Sequence, residues 1–390
     1  MHPDQIRATL AQQHIETPSW AYGNSGTRFK VFAQDGIPRT AFEKISDAAQ
    51  VHRFTGVAPS VAIHIPWDTP EAGRSYADLA EHARSEGVTI GAVNPNTFQD
   101  DAYKLGSVCN PDPAVRRQAI AHLLECVDIM RETGSKELSL WFADGTNYPG
   151  QDSITERQDR MAAALAETYA ALDDDMTMLV EYKFFEPAFY STDLPDWGTS
   201  LLHCLHLGPP AKVLVDTGHH APGTNIEMIV ATLLREGRLG GFHFNSRFYA
   251  DDDLMVGSAD PFALFRIMFE IVQAGAVLPD AGIAFMLDQC HNIEAKIPAQ
   301  IRSVMNVQEA TAKALLVDLD ALTGARSSGD VMAANAIVMD AYSSDVRPLL
   351  AEVREERGLA PDPMAAFAAS GYTEKIVSER VGGSAAGWGA

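Results

Sequence analysis

Glu181 and Lys183 close the apolar run LVEYK, Asp216 and His219 close VLVDTGH, and His243 closes GGFHF. Asp251 and Asp253 follow shortly after, and Asp288 closes IAFMLD. Carboxylate and neutral imidazole are both good ligands for a divalent transition metal. Residues two apart on a strand face the same side, so Glu181 and Lys183 would set a ligand beside a polarising ammonium. Taken singly, each feature has a plainer explanation: an ion pair, a capping aspartate, a satisfied core histidine, a solvated acidic loop in ADDDL. His220, next to His219, is not separable from it by spacing. Together the five carboxylates Glu181, Asp216, Asp251, Asp253 and Asp288 would repel one another severely in one pocket. Bound cations remove that repulsion, so the set reads as a centre for two divalent ions.

The elements that must position these groups are short apolar runs ending in Gly, Pro, Asn or Asp. They are 19–23, 60–65, 88–94, 137–142, 178–183, 212–216, 240–245 and 282–288. Such runs suit parallel strands buried on both faces. Helical patterns alternate with them. Thr40 with Glu43, Ser153 with Glu156 and Thr224 with Glu227 fit capping boxes, and Asp112-Pro113 and Asp260-Pro261 fit helix starts. The fold class expected is α/β, a (β/α)8 TIM barrel over residues 15–305 with a C-terminal helical extension over 306–390. In that extension 307–323 and 331–357 read as helical, Met364–Phe367 as a further short helix, and VGGSAAGWGA as a frayed tail. A doubly wound sheet would want GxGxxG after its first strand, and the chain has none. The ligand-type residues all lie at the C-terminal ends of strands, where such a barrel builds its active site. His64 and Trp67 in AIHIPW, and Trp141 with Phe142 in LSLWFADG, are further inward-facing candidates; Trp faces make walls for sugar rings.

The formal net charge of −22 disfavours nucleic acid and anionic membranes as partners. No apolar window is long enough for a membrane span, and the first residues lack the pattern of a secretory signal. Cys109, Cys126, Cys204 and Cys290 form no CxxC pair and read as reduced thiols, which points to the cytoplasm.

Seven stretches carry a resemblance: GNSGTRFKVF (23–32), VAIHIPWD (61–68), LWFADGTNYPGQD (140–152), VEYKFFEPAFYSTD (180–193), VLVDTGHHAPGTNIE (213–227), GFHFNSRFYADDDL (241–254) and MLDQCHN (286–292). In content, order and separation the chain resembles L-rhamnose isomerases of the broad-specificity bacterial type, within the xylose-isomerase-like barrel superfamily. The resemblance implies an aldose–ketose isomerase with two divalent ions per subunit, Mn2+ first, with Co2+, Mg2+ or Zn2+ as alternatives. It implies that Glu181, Asp216, His243 and Asp288 hold a structural ion, and that His219, Asp251 and Asp253 hold a catalytic one, with Asp216 bridging. Lys183 would act near O1 and His64 at the ring-oxygen end, with Asp253 catalytic and Trp67 and Trp141 lining the pocket. Phe29 would reach a neighbouring subunit's site in a homotetramer. L-Rhamnose leads among substrates, with D-allose, L-mannose and L-lyxose behind it. A ketose 3-epimerase, a zinc endonuclease and a non-enzymatic sugar-binding protein are the competing readings. The second ion site weighs against the first, the charge against the second, and both the second site and the missing export signal against the third.

Overall fold

The computed structural model describes residues 2–27 and 30–381. Phe29 and the tail from 382 lie outside the described residues. Eight parallel strands form one sheet: β1 (Thr17–Pro18), β2 (Ser60–Ile65), β3 (Thr89–Pro95), β4 (Glu137–Leu140), β5 (Thr177–Glu181), β6 (Ala211–Asp216), β7 (Leu239–Phe244) and β8 (Ala284–Leu287). The sheet closes on itself because Glu16 N donates to Phe285 O at 2.8 Å and Leu287 N donates to Glu16 O at 2.9 Å. Each strand is followed by a helix: α1 (Ala41–Thr55), α2 (Tyr76–Ser85), α3 (Pro113–Thr133), α4 (Ile154–Tyr169), α5 (Trp197–Leu207), α6 (Ile226–Arg235), α7 (Pro261–Gln273) and α8 (Lys296–Leu315). This is the expected (β/α)8 barrel, with a helix Pro3–Ala11 ahead of it.

Two apolar zones follow from strands buried on both faces. The outer one lies between sheet and helices and includes the stacked rings of Phe242, Phe244 and Phe285. The inner one fills the barrel with Ala62, Ala92, Leu179, Leu214 and Met286. Two residues further along the same strands or just past them stand His64, Asn94, Glu181, Asp216 and Asp288. The strand period of two therefore places a polar group at the C-terminal mouth above each apolar plug.

The structure corrects several local expectations. The first strand is Thr17–Pro18 alone, and Ser19–Tyr22 turn into a 3-10 helix. The 137–142 and 178–183 runs stop as strands at Leu140 and Glu181. Helix α6 is capped by Asn225, whose side chain accepts from Met228 N at 2.8 Å, and not by Thr224. Thr40 and Ser153 do cap α1 and α4, but the return bonds of a capping box are absent: Glu43 takes Arg39 N, and Ser153 N donates to Asp152. Asp112 and Asp260 cap the helices that begin at Pro113 and Pro261, as the sequence suggests.

Helix α8 spans the division drawn at 305/306, and the region read as one helix over 307–323 breaks after Leu315. Beyond it come α9 (Leu319–Ser328), α10 (Val331–Ser343), α11 (Arg347–Glu356), α12 (Pro363–Ala368) and α13 (Tyr372–Glu379). The chain turns between α10 and α11, which the 331–357 periodicity did not reveal, just before Pro348 in the first turn of α11. The extension is tied to the barrel jacket by buried polar bonds. Arg380 pairs with Asp47 of α1 at 2.7 Å, and Tyr372 Oη donates to the same carboxylate at 2.8 Å.

Candidate metal centre and sugar pocket

A partly open cleft lies at the C-terminal mouth of the barrel. Trp20, His64, Trp67, Phe98 and Trp141 line it together with Glu181, Lys183, His219, His243, Asp251, Asp253 and Asp288. Of the groups expected from sequence, those among the described residues reach this cleft except Asp216, Phe142 and His220. Trp141 faces inward, so its neighbour Phe142 points to the outer apolar zone, and His220 is bonded to Tyr182 Oη at 2.6 Å instead of joining His219. Asp216 lies fully buried.

At this end of the barrel two sets of ligand-type atoms each gather within 4.8 Å of one another: Glu181, Asp216, His243 and Asp288 in one, and Asp216, His219 and Asp251 in the other. Asp216 belongs to both. His243 Nδ1 lies 3.1 Å from Glu181 Oε2 and 3.8 Å from Asp288 Oδ2. His219 Nε2 lies 3.1 Å from Asp251 Oδ1 and 3.9 Å from Asp216 Oδ2. Asp253 stands apart from both sets, with its Oδ1 taking Asn245 Nδ2 at 3.4 Å. Its backbone φ of 47° is left-handed, a conformation Asp tolerates better than most residues.

Neighbouring groups aim these ligands. Asp216 Oδ1 accepts from Gly218 N at 2.5 Å and from Asn245 Nδ2 at 2.9 Å, while Oδ2 is left without a hydrogen bond. A Cβ at Gly218 would meet Asn245 Oδ1 at 2.8 Å, so glycine permits this packing. Trp20 Nε1 donates to Asp288 Oδ1 at 2.8 Å. Asp68 takes Lys44 Nζ at 2.7 Å on one oxygen, and Ser19 Oγ and His64 N on the other. That buried junction joins α1, the 3-10 turn bearing Trp20 and the end of β2.

The electrostatics show a surplus of negative charge. Burial works against ionisation of Glu181, but His243 and His219 outweigh it and hold its carboxyl at about 2. Burial also opposes ionisation of Asp251, yet Lys183 and His219 keep it well below the usual carboxylate range. Burial and the other carboxylates push Asp253 and Asp288 well above that range. Burial lowers His243, and the acids around it reverse this to about 9. Protons on imidazoles and acids thus stand where cations would. Asp216 Oδ2 and both ring nitrogens of His243 are buried without a hydrogen bond. These oxygen and nitrogen donors fit divalent transition ions.

Lys183 Nζ sits 2.5 Å from Asp251 Oδ2 and 5.1 Å from the Trp141 ring centroid. Burial lowers its pKa, but Asp251 more than offsets that and keeps it an ammonium. His64 is stacked on Trp67 at 4.0 Å between centroids and edge-on to Trp20. Burial, with Lys44 nearby, holds it well below 6.5, so its ring is neutral, and its Nδ1 has no hydrogen bond.

Sequence reasoning missed Trp20, Asn94, Phe98, Ser139, Asn245 and Cys290. Asn94 and Ser139 follow the strand alternation that identified Glu181 and Asp216, so the signal for them was present. Trp20 was read as part of a strand, and nothing local marks Asn245 as the partner of Asp216.

Residues 47–278 match the family of xylose isomerase-like TIM barrels. The chain is 44% identical over 383 residues to a probable sugar isomerase of Rhizobium meliloti, covering 97% of this chain and 88% of that one. A probable sugar isomerase of Mesorhizobium japonicum is also 44% identical, over 385 residues, with the same coverage. Among solved structures, an L-ribulose 3-epimerase superposes with a TM-score of 0.56 at 15% identity, covering 78% of this chain and 98% of that one. A D-psicose 3-epimerase gives 0.52 at 12%, covering 77% and 96%. At such identities the superpositions speak to fold alone. No helix among the described residues is long and apolar enough to cross a membrane.

Proposed function

Because the chain belongs to the family of xylose isomerase-like TIM barrels, we propose that it is an aldose–ketose isomerase interconverting L-rhamnose and L-rhamnulose, and related aldoses, by a 1,2-hydride shift. The observation that carries this reading is the pair of ligand sets sharing Asp216, in a cleft that aromatic rings also line. Glu181, Asp216, His243 and Asp288 would hold one divalent ion, and Asp216, His219, Asp251 and Asp253 a second, Mn2+ being the first choice. When bound, the ions supply Lewis acidity toward the oxygens on C1 and C2.

The net change moves one hydrogen from C2 to C1 and one proton from O2 to O1. The Lys183 ammonium would donate a hydrogen bond to O1 as negative charge develops there. Trp20, Trp67, Phe98 and Trp141 shed water from the reacting carbons and hold the sugar's C–H faces, which favours direct transfer between adjacent carbons. Neutral His64 is free to hydrogen-bond the ring oxygen during opening. In this reading the working form is a homotetramer in which Phe29 closes a neighbour's site. Large apolar side chains left exposed on the loops after β4, β5, β7 and β8, among them Tyr148, Phe189, Phe248, Tyr249 and Ile293, support association near the mouth. Light scattering would read the tetramer.

Metal-stripped protein resupplied with single ions and offered a panel of aldoses tests the proposal. Ketose from L-rhamnose, restored by Mn2+, is the expected result. Ketose epimers without aldose conversion would mean a 3-epimerase instead. In deuterated water the product should carry little label at C1 or C2, and extensive label would replace the hydride shift by proton transfer.

A further inference from the structure

Among the described residues, the buried serines are Ser19, Ser25, Ser60, Ser107, Ser135, Ser139, Ser200, Ser246 and Ser303. Eight of these hydroxyls have a partner. Ser200 Oγ donates to Val180 O at 2.7 Å, Ser60 Oγ to Glu16, and Ser303 Oγ accepts from Val256 N at 3.2 Å. Ser139 is the exception. It is 1% exposed, its Oγ has no hydrogen bond, and the residue lines the sugar cleft. A buried hydroxyl without a partner is costly and unusual, and a serine that packed only for its size would be replaceable by alanine at a gain.

Its place in the barrel suggests what completes it. Ser139 sits on the inward face of β4, two residues before Trp141, and pairs in register with Leu179, two residues before Glu181. It therefore lies one step deeper than the rim that carries Trp141, Glu181 and Lys183. Asn94, on the neighbouring strand β3, also lines the cleft, with its Nδ2 already donated to Ile63 O at 3.1 Å.

We infer that Ser139 is a specificity-determining residue whose hydroxyl is completed by one hydroxyl of the bound aldose. The cleft then recognises polyhydroxylated sugars bearing oxygen at that carbon and rejects those bearing hydrogen there. This inference rests on the isomerase reading. A site built to hydrogen-bond a substrate hydroxyl discriminates strongly against the analogue lacking it, because the protein group is left unpaired.

The test compares parent and Ser139→Ala on the best aldose and on its singly deoxygenated derivatives. For the parent aldose, Ser139→Ala should lower kcat/KM by roughly 10- to 100-fold. One deoxy sugar, and only one, should be turned over equally by both forms, and it identifies the carbon that Ser139 reads. The ligand-free variant should melt at or above the parent, a result a purely structural role for the hydroxyl would not give. Unchanged discrimination by Ser139→Ala across the whole deoxy series, in an active parent, would overturn the inference alone. A parent inactive on every aldose would remove the isomerase reading and this inference with it.

Discussion

Asp253 combines a left-handed backbone with a carboxyl that burial and three neighbouring acids push well above the usual range. Its substitution should therefore cost function without costing the fold. Asp253→Asn keeps the bond geometry toward Asn245 and removes one anion from a crowded centre. Turnover should be lost while thermal stability is equal or higher, checked by ketose assay beside a melting curve. Near-normal activity would take it out of the ligand set. A second acid, Glu16, lies at the opposite end of the barrel, with its Oε2 taking Ser60 Oγ at 2.6 Å and its Oε1 taking Ala92 N at 2.9 Å. Burial raises its pKa from 4.5 to about 7. The folded state thus keeps this proton over a range where the unfolded chain has released it, and stability falls as pH rises from 4.5 to 7. Glu16→Gln should be more stable than the parent above pH 7 by on the order of 3 kcal/mol, with the gap closing below about pH 4.5 in urea titrations at several pH values.

At the scale of elements, the buried junction of Lys44 and Asp68 sets how α1, the 3-10 turn and β2 meet. Lys44→Met would strand Asp68 as an unpaired buried charge and should destabilise by about 3–5 kcal/mol, read by chemical denaturation. Because Asp68 also holds His64 N and Ser19, the variant should lose activity at temperatures where it remains folded. Strand ends were the most legible part of the chain. Alternation on β5 and β6 predicts which side chains face inward, and the same period carries Asn94 and Ser139. The first strand was misplaced because SWAYG has strand-like composition, while the structure needs a turn there to bring Trp20 Nε1 onto Asp288. The start of α6 was misjudged because Thr224 and Asn225 are both good caps and only the packed loop chooses between them. Partners such as Asn245 for Asp216, or Lys44 for Asp68, join positions 29 and 24 residues apart, and no local pattern encodes them.

Across the whole molecule, the barrel concentrates repelling acids at one mouth, and stripping divalent ions should lower the melting temperature. Return of Mn2+ should raise it in proportion to the logarithm of concentration, since a ligand that binds only the folded state stabilises by mass action. A melting point indifferent to chelator and to added ion would argue against resident cations. Helix α8 has consequences of a different kind. It packs against α1 and α7 on the barrel side and against α10, α11 and α12 on the other. Ile297, Ile301, Val304, Val307 and Leu315 are all covered. Such a two-sided partition leaves no clean seam for a gene-trimming experiment: a stop codon after the last barrel helix would lay bare an oily stripe, and the shortened product should clump during expression.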